Sequence, residues 1–194
     1  MSPRAVRLLA IGGLLGPLTF VVTWLSAGVS TKGYSAVDDA ISELAAIHAG
    51  TQVAMTIGFV VFGAGVIAFG VALRGAGAAS AGTSAVATAC FTLAVAATPL
   101  GGPTRDIVHG VFATLGYVTL VGAPLLAAAP LARHARVGLT RFSLTAAAVA
   151  GSCLAASTIG PAHGLAQRAG LTAGDIWIVV IAVQLIRGDH LFRG

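Results

Sequence analysis

The chain has 194 residues, of which 57% are hydrophobic and only 9% charged, with a formal net charge of +5. Soluble domains carry about 25% charged residues, and a mean hydropathy of +0.94 leaves too little polar surface to coat a globule in water. The composition therefore excludes an ordinary soluble enzyme. It predicts an all-α, polytopic membrane bundle forming a single domain over 1–194. The bases stand singly at the ends of apolar runs, where topology accounts for them, so the positive charge does not point to nucleic acid.

In chain order, Arg4 and Arg7 precede an apolar run from Leu8 to Val29. That run is too long for the core of a signal peptide and is read as the first span. Six spans are expected, at about 7–29, 52–73, 83–102, 109–132, 141–160 and 172–187. The last is short for a crossing of about 20 residues, so it is expected to begin earlier or end later. Open strands are excluded because lipid leaves their backbone groups unsatisfied. Gly12 and Gly16 form a small-xxx-small pair for close helix packing. Pro17 and Pro124 are expected to kink their spans. Cys90 and Cys153 lie in apolar runs and read as buried free thiols. No internal repeat is visible.

Between the first two spans the chain reads YSAVDDAISEL, which holds Asp38, Asp39 and Glu43, half of the six acids. Val37, Ala40, Ile41, Leu44 and Ala45 follow a helical period, with Asp38, Asp39, Ser42 and Glu43 on the other face. This predicts a short amphipathic helix in the first extracytoplasmic loop. Ser35 and Asp38 match a capping box. Asp39 and Glu43 share a face that looks either at water or into the bundle. In the second case desolvation and the neighbouring acid favour the neutral, proton-donating form.

The third loop reads PLGGPTRDIVHG, with Asp106 and His109 one helical turn apart. The spacing fits an acid orienting an imidazole, or simple helix capping. Before the last span come His163, Gln167 and Arg168, then Asp175. Arg168 is expected to pair with an outer acid or an anionic headgroup, and Asp175 to cap the last helix. Trp24, Tyr34 and Trp177 read as interfacial aromatics. No HxxxH or HExxH spacing supports zinc on His48, His109 and His163, so no metal is assigned. No cofactor is implied, and no GxSxG elbow is present.

The basic residues set orientation. Arg4, Arg7, Arg74, Arg133, Arg136, Arg141, Arg187 and Arg193 fall on one side, against Lys32, Arg105 and Arg168 on the other. This predicts both termini in the cytoplasm. Asp38, Asp39, Glu43, Asp106 and Asp175 then lie outside with His48, His109 and His163, while Asp189 is cytoplasmic. The Arg-rich basic set and abundant Ala and Gly fit a high-GC bacterial genome, and hence a bacterial cell membrane.

GYSAVDDAISELAA resembles the signature of the six-helix bacterial membrane proteins called domain of unknown function 998. RDIVH at Arg105–His109 and GLAQR at Gly164–Arg168 resemble that family's later polar segments. The family reads closer to GxxER in the last, so Gln167 is a departure. The resemblance implies a six-helix membrane fold and no assigned reaction. More loosely, the size, helix count and outer acids are similar to small integral-membrane terpene cyclases of actinobacteria. That likeness implies protonation of an alkene or epoxide, cyclisation of a prenylated substrate, and final deprotonation.

The expected function is thus an intramembrane enzyme for acid-initiated isoprenoid cyclisation. Its catalytic candidates are Asp39, Glu43, Asp106 and His109. Asp38, Ser42, His48, His163, Gln167, Arg168, Trp24 and Trp177 are the substrate-binding candidates. The alternative is a non-catalytic protein binding a lipid or a partner. A proton-coupled transporter ranks third, because its acids belong at mid-membrane and these stand near span ends. The implied partners are the bilayer and a lipophilic small molecule or lipid; the oligomeric state stays open.

Overall fold

An apolar run in lipid satisfies its backbone only by coiling into a helix. The computed structural model describes residues 1–188 and 191–192. Asp189 and Arg193, both counted for orientation, lie outside the described residues. Among the described residues six helical stretches are long and apolar enough to cross a membrane: Pro3–Ser30, Gln52–Ala76, Ala79–Ala97, Pro103–Arg133, Val137–Ala156 and His163–Arg187. The chain is an all-α, multi-pass membrane bundle. Its first span is divided at Ile11 into α1 (Pro3–Ala10) and α2 (Gly12–Ser30), and the others are α3 to α7 in the order just given.

Each span packs on the next in sequence, and α7 returns against α1 and α2 to close a ring. Small residues permit the tightest crossing. A methyl group added to Gly65 of α3 would lie 2.5 Å from the Gly12 carbonyl and 2.9 Å from Gly16 Cα. The small-xxx-small pair is therefore a contact surface for α3, as its spacing predicts. Leu15, Leu18, Val22 and Leu25 of α2 point away from the bundle and are exposed to lipid, while Phe20 is buried within it.

Several expectations change. Trp177 is not interfacial: it is fully buried, packs edge-on to Phe69 at 6.0 Å, and donates from Nε1 to Ser143 Oγ at 2.9 Å. A partner for the indole N–H is what lets so large an aromatic enter the core. Cys90 is exposed and Cys153 partly so, so neither is a buried thiol. The third span ends at Ala97, before the Thr98-Pro99 step, and α5 begins at Pro103. The last span begins at His163, nine residues before its expected start. Asp175 consequently stands twelve residues from each end of α7 and caps nothing.

The first loop differs most. Residues 36–39 form a turn, and only Ile41–Ala45 coil, as a short 3-10 helix. This segment is called the strap. An α-helix there would bond the Ile41 N–H to the Val37 carbonyl. That carbonyl instead accepts from Leu165 N at 2.9 Å, and Ile41 N donates to Gln167 Oε1 at 2.8 Å. Helix α7 takes the strap's backbone groups, and the strap bends to give them. Val37, expected on the buried face, is 46% exposed.

Candidate functional site

The strap is fastened by three consecutive features of α7. Gly164 has no side chain, which lets the Asp39 carbonyl approach the helix. Gln167 accepts from Ile41 N and donates through Nε2 to the Tyr117 hydroxyl. Arg168 is buried, and its Nη1 donates to the carbonyls of Ala36, Asp39 and Gly164, each at 2.8 Å. Its Nη2 bonds the Tyr34 hydroxyl, and the guanidinium lies 5.4 Å from the rings of both Trp24 and Tyr34. The charge is thus held by carbonyl dipoles and aromatic faces. Arg168 was expected to meet an acid or a headgroup. Its reach to three carbonyls explains why it serves the strap. Burial pushes the Tyr34 phenol above its usual pKa, although the Arg168 charge pulls it down.

Beneath the strap lies a cavity of about 610 Å³ of atom-free space, its mouth included. Ile41 and Ser42 of the strap line it, with Phe20, Phe59 and Phe62 from α2 and α3, and Phe112, Tyr117 and Leu120 from α5. Besides Ser42 and Tyr117, its polar members are Thr88, Thr92, His109, Gln167 and Asp175. Thr88 and Thr92 donate to carbonyls of their own helix, at 3.1 and 3.0 Å. His109 Nδ1 faces the Thr98 carbonyl at 2.8 Å. A carbonyl only accepts, so Nδ1 carries the hydrogen and Nε2 is the ring's open position.

The Gln167 amide is oriented by the same reasoning. Ile41 N can only donate, so the amide oxygen must face it, and Nε2 then donates to Tyr117. The Tyr117 oxygen is an acceptor in that bond, which leaves its own proton free for another acceptor. Asp175 is 5% exposed, and among the described residues no hydrogen bond or ion pair reaches its carboxyl. Its oxygens retain access to the cavity, since the only fully enclosed, unbonded side-chain polar atom among the described residues is Arg168 Nε.

A family model described as "Protein of unknown function (DUF998)" matches residues 14–184. The chain belongs to this family. No curated protein and no solved structure matches it. In this DUF998 protein the matched range takes in both the strap and Gly164–Arg168, the part of α7 that fastens it.

The residues selected from sequence divide into groups. His109, Gln167 and Ser42 line the cavity. Arg168 and Trp24 hold the strap from behind. Asp39 and Glu43 are not among the lining residues. Asp39 Oδ2 accepts from Ser35 N at 2.7 Å, and Glu43 Oε1 from Ala40 N at 3.1 Å. Each carboxylate caps a turn of its own loop. Asp38 N donates to Ser35 Oγ at 3.2 Å and its carboxylate accepts from that hydroxyl at 2.8 Å, but the Ser35 N–H goes to Asp39, so only half of the expected capping box forms. Asp106 accepts from Gly101 and Gly102 N at the start of α5, so His109 is oriented by Thr98 instead.

His48 and His163 are exposed. Trp177 is a core residue of α7. Among the described residues no group of three His, Cys, Asp or Glu is placed to hold a metal. Asp175 and Tyr117 were missed as cavity residues. The available signal was the shortness of the sixth span: extending it towards the N-terminus carries Asp175 to mid-helix, where an ionisable residue marks a functional site by default.

Proposed function

We propose that this DUF998 protein binds a lipid or other lipophilic molecule in the cavity beneath the strap. The observation that carries the reading is the lining: rings from α2, α3 and α5 around a few oriented polar groups, inside a membrane bundle. The charge distribution supports a bacterial cell membrane setting with both termini in the cytoplasm and the strap outside. Native mass spectrometry of protein released in mild detergent tests the binding. Wild type retains a small molecule, and Ala113→Phe, which puts a ring into the cavity, loses it by tenfold or more. Equal retention by both proteins, or none by wild type, overturns the proposal.

Acid-initiated isoprenoid cyclisation is a second reading of the same cavity, favoured by a carboxyl set among aromatic rings. Its proton donor would then be Asp175, because Asp39 and Glu43 are engaged with backbone amides. Incubation of the purified protein with a prenylated epoxide tests it. Cyclic product from wild type and not from Asp175→Asn supports this reading; no product from wild type removes it.

A further inference from the structure

Asp175 is the charge-bearing group that the architecture leaves open. It occupies the middle of α7, about 18 Å along the helix from His163 at 1.5 Å per residue. Phe20 stands ten residues from the strap-side end of α2, Phe62 ten from that of α3, and Thr88 nine from that of α4. These residues and Asp175 line the same cavity, each well in from the strap-side end of its helix. Phe20 touches both Phe59 and Phe62, with ring centroids 5.3 Å apart in each pair.

An unpaired carboxylate inside a membrane bundle is costly. Chains retain such groups where a partner is met. Arg168, the nearest cation on α7, is two turns higher and committed to the strap carbonyls. His109 presents its Nδ1 hydrogen to Thr98. Among the described residues no cation pairs with Asp175. Aromatic faces beside a carboxylate are the chemistry that receives an organic cation: the rings attract it by their quadrupoles and the acid neutralises it.

We infer that the cavity's ligand is a lipophilic ammonium, its charged nitrogen seated between the Asp175 carboxylate and the Phe20, Phe59 and Phe62 rings. This rests on the lipophile-binding reading and names the ligand class for it. Neutral lipids would fill the apolar part of the cavity and leave Asp175 unanswered. Tyr117 and the Gln167 amide, near the strap, are placed to meet a polar group at the other end of a longer ligand.

The test uses the full-length protein in lipid nanodiscs and two probes of nearly equal shape, benzyltrimethylammonium and its uncharged isostere neopentylbenzene. The wild type is expected to bind the ammonium at least tenfold more tightly. Asp175→Asn should abolish that preference and leave neopentylbenzene binding within twofold. Phe62→Leu, which keeps the acid, should weaken the ammonium severalfold more than the isostere. Equal binding of both probes, or an ammonium affinity indifferent to Asp175→Asn, overturns the cation assignment and leaves lipophile binding intact. Failure of both probes to enter the wild-type cavity counts against both.

Discussion

Arg168 shows how a residue's role depends on what its neighbours leave unpaired. Its guanidinium satisfies carbonyls at Ala36, Asp39 and Gly164 at once. Lysine offers a compact charge without the planar fork, so it cannot meet the same set and the Tyr34 hydroxyl together. Arg168→Lys should therefore lower stability by about 2 kcal/mol, the scale of one or two charge-assisted hydrogen bonds. Denaturant titration in detergent, followed by tryptophan fluorescence, measures the loss. An unchanged midpoint would show that the strap does not depend on the fork.

At the scale of elements, the strap and the start of α7 are one unit made from two distant segments. Each supplies what the other lacks: the strap has carbonyls and an amide freed from helical bonding, and α7 has a glycine, an amide side chain and a guanidinium. Gln167→Leu leaves the Ile41 N–H buried without an acceptor. The expected loss is about 2 kcal/mol, within the range for an unsatisfied buried donor. Amide exchange at Ile41 should quicken in step. Gln167→Glu keeps an oxygen facing Ile41 N and offers a second acceptor to the Tyr117 hydroxyl, so it should preserve exchange protection. Rapid Ile41 exchange in the glutamate variant would contradict this account.

The helix expected over this loop forms only at Ile41–Ala45, as a 3-10 turn, for the same reason the unit exists. Periodicity at Val37, Ala40, Ile41 and Leu44 correctly marks Ile41 and Leu44 as buried. It carries no information about tertiary acceptors, and α7 claims the carbonyl that the helix would have used.

For the whole molecule, an even number of spans puts both termini at one end of the ring and the strap at the other. The orientation proposed above, from the arginine distribution, puts the strap outside. With Cys90 and Cys153 replaced by alanine, cysteine at exposed His48 should react with a membrane-impermeant maleimide in intact cells. Cysteine at exposed Arg133 should react only after lysis. The reverse pattern would invert the topology.

What the amino-acid sequence determined by itself was the helical, membrane-embedded character and the approximate spans. Hydropathy and backbone satisfaction are local properties that any apolar run of this length must obey. The small-residue crossing of α2 on α3 was legible for the same reason, since it follows from short spacing. The site was legible only in its cast: His109, Gln167, Arg168 and Ser42 were named, but their tasks were not.

Tertiary structure alone decided which carboxylates face the cavity. Asp39 and Glu43 found backbone amides a few residues away, while Asp175, placed at mid-helix by the full length of α7, found none. Whether an acid is capped by its own loop or left facing a cavity depends on groups far away in the chain. Only folding brings those groups within a hydrogen bond's length.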